Sequence, residues 1–230
     1  MSNTIAVAID GPSGAGKSTI ARILARELRF IYVDTGALYR AVGHAVLSRG
    51  HDPKDAAAVV AILPQLTVEL RYENDSQRVY VNGEDVSDRI RTPEVSMAAS
   101  AVSALPPVRR FLFDLQQDIA ATHNVIMDGR DIGTVVLPHA RVKIFLTASA
   151  EDRAARRYDE LREKGVSTTF DEVLADMIRR DHDDSTRAAA PLKAADDAIL
   201  VDTSGNTLEQ SVALLKEIVT RKLEEKGPKA

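Results

Sequence analysis

Gly11-Pro12-Ser13-Gly14-Ala15-Gly16-Lys17-Ser18, followed by Thr19, is the stretch that decides how the rest of the chain is read. It fits the pattern G-x-x-x-x-G-K-[S/T]. The residue types follow from a chemical task. Glycines let successive backbone N–H groups curl around a phosphate chain with no Cβ in the way. Lys17 carries a charge to the outer phosphates, and the Ser18 hydroxyl can ligate a Mg²⁺ ion that travels with them. A helix that begins here aims its positive end at the anion. The flanks agree, because the apolar run Ile5–Ile9 precedes the motif and Ile20, Ile23, Leu24 and Leu28 form a helical stripe after it. Residues 11–19 therefore read as a nucleoside triphosphate cradle, with Lys17 expected on a loop outside the core.

The pattern outside the motif is that of an α/β protein. Ile5–Ile9, Phe30–Val33, Val125–Met127, Val142–Leu146 and Ile199–Val201 are short and apolar, rich in β-branched residues, and read as buried parallel strands. Helical patterns lie between and after them, including Val212, Leu215, Ile218, Val219 and Leu223. Two regions break the alternation. Leu66–Val86 reads as a β hairpin, with Thr67–Tyr72 and Arg78–Val81 as strands and Asn74-Asp-Ser as the turn. Glu151–Arg187 reads as a charged, mostly helical, mobile segment with a turn at Gly165. The tail Glu224–Ala230 is expected to fray.

The chain has 230 residues, of which 44% are hydrophobic, and a formal net charge of -4. That suits one domain with insertions and gives no basic excess for nucleic acid or a membrane surface. No apolar run approaches the ~20 residues of a membrane span, and the N-terminus lacks a signal-peptide pattern, so a cytoplasmic protein is expected. Without cysteine there is no thiol nucleophile and no cysteine-bound zinc. His44, His51, His123, His139 and His182 lack metal-ligand spacing, and Tyr32, Tyr72 and Tyr80 read as packing residues.

A phosphate cradle alone does not choose among kinase, GTPase, ATPase and regulatory switch. Arginine placement narrows the choice. The chain has 21 arginines against 9 lysines, and the guanidinium fork grips phosphate oxygens in pairs. A nucleoside monophosphate is already a dianionic nucleophile near neutral pH, so a kinase acting on it needs no base but must hold two anions together. Arginines fall where such a site belongs. Asp34–Arg40 and Asp128-Gly-Arg-Asp131 follow strands, and Arg180, Asp184 and Arg187, spaced i, i+4, i+7, are expected on one helix face. Arg153 and Arg157 lie one turn apart. A guanine-reading Asn-Lys-x-Asp motif is absent, which leaves a GTPase-like switch as the weaker alternative beside other small-molecule P-loop kinases.

Ile9–Thr19, Asp34–Arg40, Val86–Arg91, Asp128–Val136, Val142–Leu146 and Arg187–Leu192 together resemble the bacterial cytidylate kinases over essentially the whole chain. The resemblance implies a nucleoside monophosphate kinase fold: a five-stranded parallel sheet ordered 2-3-1-4-5, flanked by helices. It also implies one kinase domain over 1–230, a CMP-binding region near 35–110 with a β insertion at 66–86, and a helical lid near 151–187. The substrates implied are ATP, carried with Mg²⁺, and CMP or dCMP, and a monomer is expected. By position, Thr35, Arg40 and Arg130 match residues that hold the CMP phosphate. Ser100, Arg109 and Asp131 match those that read cytosine. Arg180, Asp184 and Arg187 match a group around pentose and phosphate, while Arg153 and Arg157 match lid arginines that approach ATP. Lys17, Arg130, Arg153, Arg157 and Arg180 are the implied catalytic cations. Thr35 stands where some relatives carry serine, which keeps the hydroxyl.

Overall fold

The computed structural model describes residues 4–73 and 76–225. In chain order the strands are β1 (Ala6–Asp10), β2 (Ile31–Asp34), β3 (Val68–Glu73), β4 (Ser76–Val81), β5 (Glu84–Asp85), β6 (Val125–Gly129), β7 (Val142–Thr147) and β8 (Ile199–Asp202). The α-helices are α1 (Lys17–Leu28), α2 (Thr35–Leu47), α3 (Ala56–Ile62), α4 (Pro93–Ser103), α5 (Pro106–Thr122), α6 (Ala150–Glu163), α7 (Phe170–Thr186) and α8 (Leu208–Glu224). A single π turn spans Ile132–Val136.

The main sheet runs β2-β6-β1-β7-β8. Counting only its own strands, that is the order 2-3-1-4-5 implied by the resemblance. β1 lies parallel to both β6 and β7, and β7 is parallel to β8. All five expected strands form, each ending within about two residues of its apolar run; β6 and most of β1 and β7 are buried as expected, whereas the edge strand β8 leaves Leu200 exposed.

The chain divides into two compact units. One comprises residues 4–32 and 123–225, the other residues 33–122, with the division falling inside β2. The first unit has its core around Val7, Ile9, Ile126, Ile144 and Leu146 of the strands, covered by Ile20 and Leu24 of α1 and by Leu215 and Val219 of α8. Fully burying each of these side chains contributes roughly 1.5–3 kcal/mol. A smaller cluster of Ala154, Leu161, Val173 and Met177 joins α6 to α7, with Tyr158 edge-on to Phe170.

The second unit has a core of its own, built from α2, α3, α4, α5 and the inner faces of β3 and β4. Its small sheet runs β3-β4-β5. β3 and β4 pair antiparallel from Val68↔Val81 to Glu73↔Ser76, as the hairpin reading expects. Within the expected turn, Asn74 and Asp75 lie outside the described residues. β5 was not foreseen, since two polar residues carry no alternation to read. At Gly43 of α2 a Cβ would sit 3.0 Å from the backbone nitrogen of Ala99, a tight contact that α4 would have to yield to by a few tenths of an ångström.

Three expectations need correcting or qualifying. Lys17 is not on a loop but is the first residue of α1, and it is buried. Arg187 is not on the helix face with Arg180 and Asp184; α7 stops at Thr186, and Arg187 caps it in extended conformation. Most of the tail, residues 226–230, lies outside the described residues, and α8 persists to Glu224.

Candidate active site

The phosphate cradle follows from the strand before it. β1 delivers the chain to Gly11, whose backbone φ of +149° and proximity to β7 leave no room for a side chain. A Cβ there would lie 1.9 Å from the Leu146 carbonyl oxygen. Gly14 and Gly16 also adopt positive φ, and Gly16 caps α1. The Lys17 ammonium donates to the Pro12 carbonyl at 2.6 Å, bending back over its own loop. Burial, and then the Arg130 guanidinium, bring its pKa down to about 7, against the pull of Asp128, Asp10 and Asp184. Ser18 Oγ donates to Asp128 Oδ2 at 2.8 Å.

Behind the cradle, Asp10 fastens the loop that carries Arg130 and Asp131. Its two carboxylate oxygens accept the backbone N–H groups of Ile132 and Gly133, both at 2.7 Å. Burial pushes Asp10 up to about 6 despite those two donors, and Asp131 adds to the push.

The acid–arginine cluster assembles from β6, the loop after it and α7. Arg130 Nε donates to Asp184 Oδ2 at 2.8 Å. Although it has left the helix, Arg187 still faces both Asp131 and Asp184, at 3.7 Å from each. Burial opposes ionisation of Asp184, but Arg130, Arg187 and Arg180 outweigh it and hold the carboxyl below its ordinary range. Arg180 Nη1 donates to Ser13 Oγ at 3.2 Å, which ties α7 to the cradle.

The two arginines of α6 differ. Arg153 is buried, and its guanidinium donates to the Ala148 carbonyl, the Ser13 carbonyl and Asp181. Arg157 is partly exposed and, among the described residues, pairs with Glu160 one turn on, at 3.0 Å. The first unit thus brings together Lys17, Ser18, Arg130, Asp131, Arg153, Arg180, Asp184 and Arg187, whereas Arg157 stands apart.

The remaining predicted residues belong to the second unit. Asp34 caps α2, accepting the Ala37 N–H at 2.9 Å, and its other oxygen takes the Arg40 guanidinium at 2.8 Å. Gln77 of β4 reaches back to accept the Asp34 N–H at 2.9 Å. Burial opposes ionisation of Asp34, but Arg40 and Arg91 outweigh it and hold the carboxyl low. Thr35 is buried at the start of α2. Among the described residues, the buried Arg40 Nε has no hydrogen-bond partner. Arg109 donates to the Ser103 carbonyl and lies 5.5 Å from the Tyr39 ring centre, while Ser103 Oγ donates to the Ser100 carbonyl.

The motif reading did not single out Asp10, Asp34, Gln77 or Asp181 for a role. Asp10 and Asp34 stand within or beside the motifs, so position alone could have flagged them. Gln77 and Asp181 carry no local signal, since their partners are 43 and 28 residues away.

A glycine-rich loop between a central parallel strand and a helix, with a buried lysine at the helix start, defines a P-loop nucleotide-binding protein. Residues 7–221 match the family described as Cytidylate kinase. A cytidylate kinase of Carboxydothermus hydrogenoformans is 50% identical over 216 residues, 94% of this chain and 97% of that protein. One from Mycolicibacterium paratuberculosis is 49% identical over 225 residues, 97% of this chain and 99% of that protein. Among solved structures, an uncharacterised protein from Eubacterium ventriosum shares the fold with a TM-score of 0.54 at 11% identity, covering 95% of this chain and 99% of that one. The chain belongs to the cytidylate kinase family.

Proposed function

We propose that the chain transfers the γ-phosphate of ATP to CMP or dCMP, giving CDP or dCDP and ADP. The observation that carries this reading is the family match across residues 7–221, with relatives named cytidylate kinase at about half identity over nearly their full length.

The residues support a division of labour. Backbone N–H groups of residues 11–19 hold the ATP phosphates. Lys17 leaves the Pro12 carbonyl to meet them, regaining full charge as the anion arrives. The acceptor phosphate, dianionic near neutral pH, attacks without a general base. Thr35, Arg40 and Arg130 hold it, and the buried free Nε of Arg40 is a donor suited to an anion. Arg180 and Arg187 spread positive charge where the transferred group becomes most anionic, with Asp184 fixing the orientation of Arg130. Ser100, Arg109 and Asp131 read the base: Asp131 accepts from the cytosine amine and Arg109 donates to a ring acceptor. UMP would leave such groups mismatched, at a cost of ~1–3 kcal/mol each.

The donor set suits Mg²⁺. Ser18 Oγ and the Asp128 carboxylate are hard oxygens in contact, and among the described residues no group of three acidic, histidine or cysteine side chains could cage a metal. Ser18 Oγ, backed by Asp128, would be the protein oxygen offered to a Mg²⁺ ion carried by the triphosphate. When bound, it neutralises phosphate charge. We assign residues 151–187 to a lid in which Arg157, once released from Glu160, approaches ATP, and Arg153 keeps the Ser13 turn in place. A monomer suffices for these roles. No helix among the described residues is long and apolar enough to cross a membrane.

The test is product formation from ATP·Mg²⁺ with CMP, dCMP, UMP and AMP in parallel. CMP and dCMP are expected to be phosphorylated, with UMP well behind at low concentration. ADP without a phosphorylated acceptor would overturn the acceptor assignment, and equal turnover of UMP and CMP would overturn the base-reading roles of Arg109 and Asp131.

A further inference from the structure

Asp128 is a buried carboxylate at the end of β6 with both oxygens engaged by hydroxyls. Oδ2 accepts from Ser18 at 2.8 Å, and Oδ1 accepts from the Tyr32 phenol at 3.0 Å. Tyr32 comes from β2, Asp128 from β6 and Ser18 from α1, so the chain of three links the neighbouring edge strand to the first turn of the phosphate-binding helix. The Tyr32 ring is buried in the core of the first unit, and the Arg22 guanidinium of α1 lies 5.6 Å from its centre. By its spacing Tyr32 is a packing residue, and the ring does pack. Its hydroxyl does something more.

A serine hydroxyl binds a cation through its oxygen lone pairs, so its proton must point elsewhere. Donation to Asp128 commits the Ser18 proton to the carboxylate and leaves the oxygen lone pairs to accept. A carboxylate anchored at one oxygen only can rotate about its terminal torsion, which is soft. A second hydroxyl on the other oxygen removes that freedom. We infer that Tyr32 is a positioning residue for metal-dependent nucleotide binding: its hydroxyl locks the plane of Asp128, and Asp128 in turn presents the Ser18 lone pairs to the cation carried by ATP. The inference rests on the Mg²⁺ assignment made above and assigns a specific residue to it.

The substitution Tyr32→Phe deletes one oxygen while keeping the ring, its packing and its contact with Arg22. Binding of ATP is measured calorimetrically to the full chain, once with Mg²⁺ and once with EDTA. The expected result is a loss of about ten-fold in affinity with Mg²⁺, the lower end for removal of a partner behind a metal ligand, and no change in EDTA. The KM for CMP stays at the wild-type value. In an Asp128→Asn background the same substitution has no further effect, because the carboxylate it acts through is gone. An equal loss with and without Mg²⁺ would mean the hydroxyl serves the fold alone, and no loss in either would mean it serves neither; both overturn the inference. Wild-type binding indifferent to Mg²⁺ would overturn the metal assignment and this inference together. Wild-type dependence on Mg²⁺ with an unaffected variant removes only the role of Tyr32. Thermal melting of Tyr32→Phe provides the control for folding.

Discussion

Arg153→Ala and Arg157→Ala should part company. The two arginines are one turn apart on α6 and chemically identical, but their surroundings differ. The Arg153 side chain is 5% exposed and pairs with Asp181 at 2.6 Å, while Arg157 is 29% exposed and meets an exposed Glu160. Removing one partner of a buried ion pair costs ~3–5 kcal/mol, because the other charge is left desolvated. Asp181 keeps a quarter of its side-chain surface in water, which places the expected loss near the low end, about 3 kcal/mol. The two carbonyls that Arg153 also satisfies, Ala148 and Ser13, add to that loss. An exposed pair three residues apart contributes less than ~0.5 kcal/mol. Urea unfolding followed by circular dichroism reads the difference directly. Arg153→Ala should unfold at clearly lower urea, and Arg153→Lys should recover little, since an ammonium cannot span three acceptors in a plane. Arg157→Ala should unfold with the wild type and lose kcat far more than CMP affinity. Equal stability of the two alanine variants would refute the anchoring role of Arg153. An Arg157→Ala effect confined to CMP affinity would refute the lid assignment.

Lys17 gives a prediction in protons. Its folded pKa of about 7 lies below the ordinary 10.5, so between those values the unfolded chain holds more protons and the contribution of Lys17 to stability rises with pH. ATP should restore its charge, so binding at pH 8 takes up close to one proton, measured by calorimetry in two buffers of different ionisation enthalpy. Lys17→Ala should stay folded, be nearly inactive and take up none; equal uptake by that variant would refute the assignment. Asp34→Asn keeps a good helix cap but removes the charge that orients Arg40. The KM for CMP should rise about ten-fold, roughly 1.4 kcal/mol, with little change in the circular dichroism spectrum, and an unchanged KM would refute the positioning role. The depressed pKa of Asp34 also means its stabilising contribution is present at neutral pH and is lost on acidification through a value below 3.8.

The sequence by itself determined the sheet and the cradle. Runs such as Val142–Leu146 can be satisfied only in a buried parallel strand, and Gly11–Ser18 has one well-defined use between a strand and a helix. Both signals are local, so they survive in a linear reading. The arginine-bearing motifs were visible in the sequence too, but linear spacing put Arg187 on a helix that ends one residue before it. The tertiary structure alone decided what each arginine does. Arg153 and Arg157 share a spacing and a chemistry, yet burial separates an anchor from a surface charge. It also decided the partners: Asp10 with residues 132–133, Gln77 with Asp34, and Tyr32 with Asp128 are all joined across long stretches of chain. Periodicity reports which face of an element is buried. It does not report which polar group from a distant element arrives there, and a buried donor or acceptor takes its meaning from that partner.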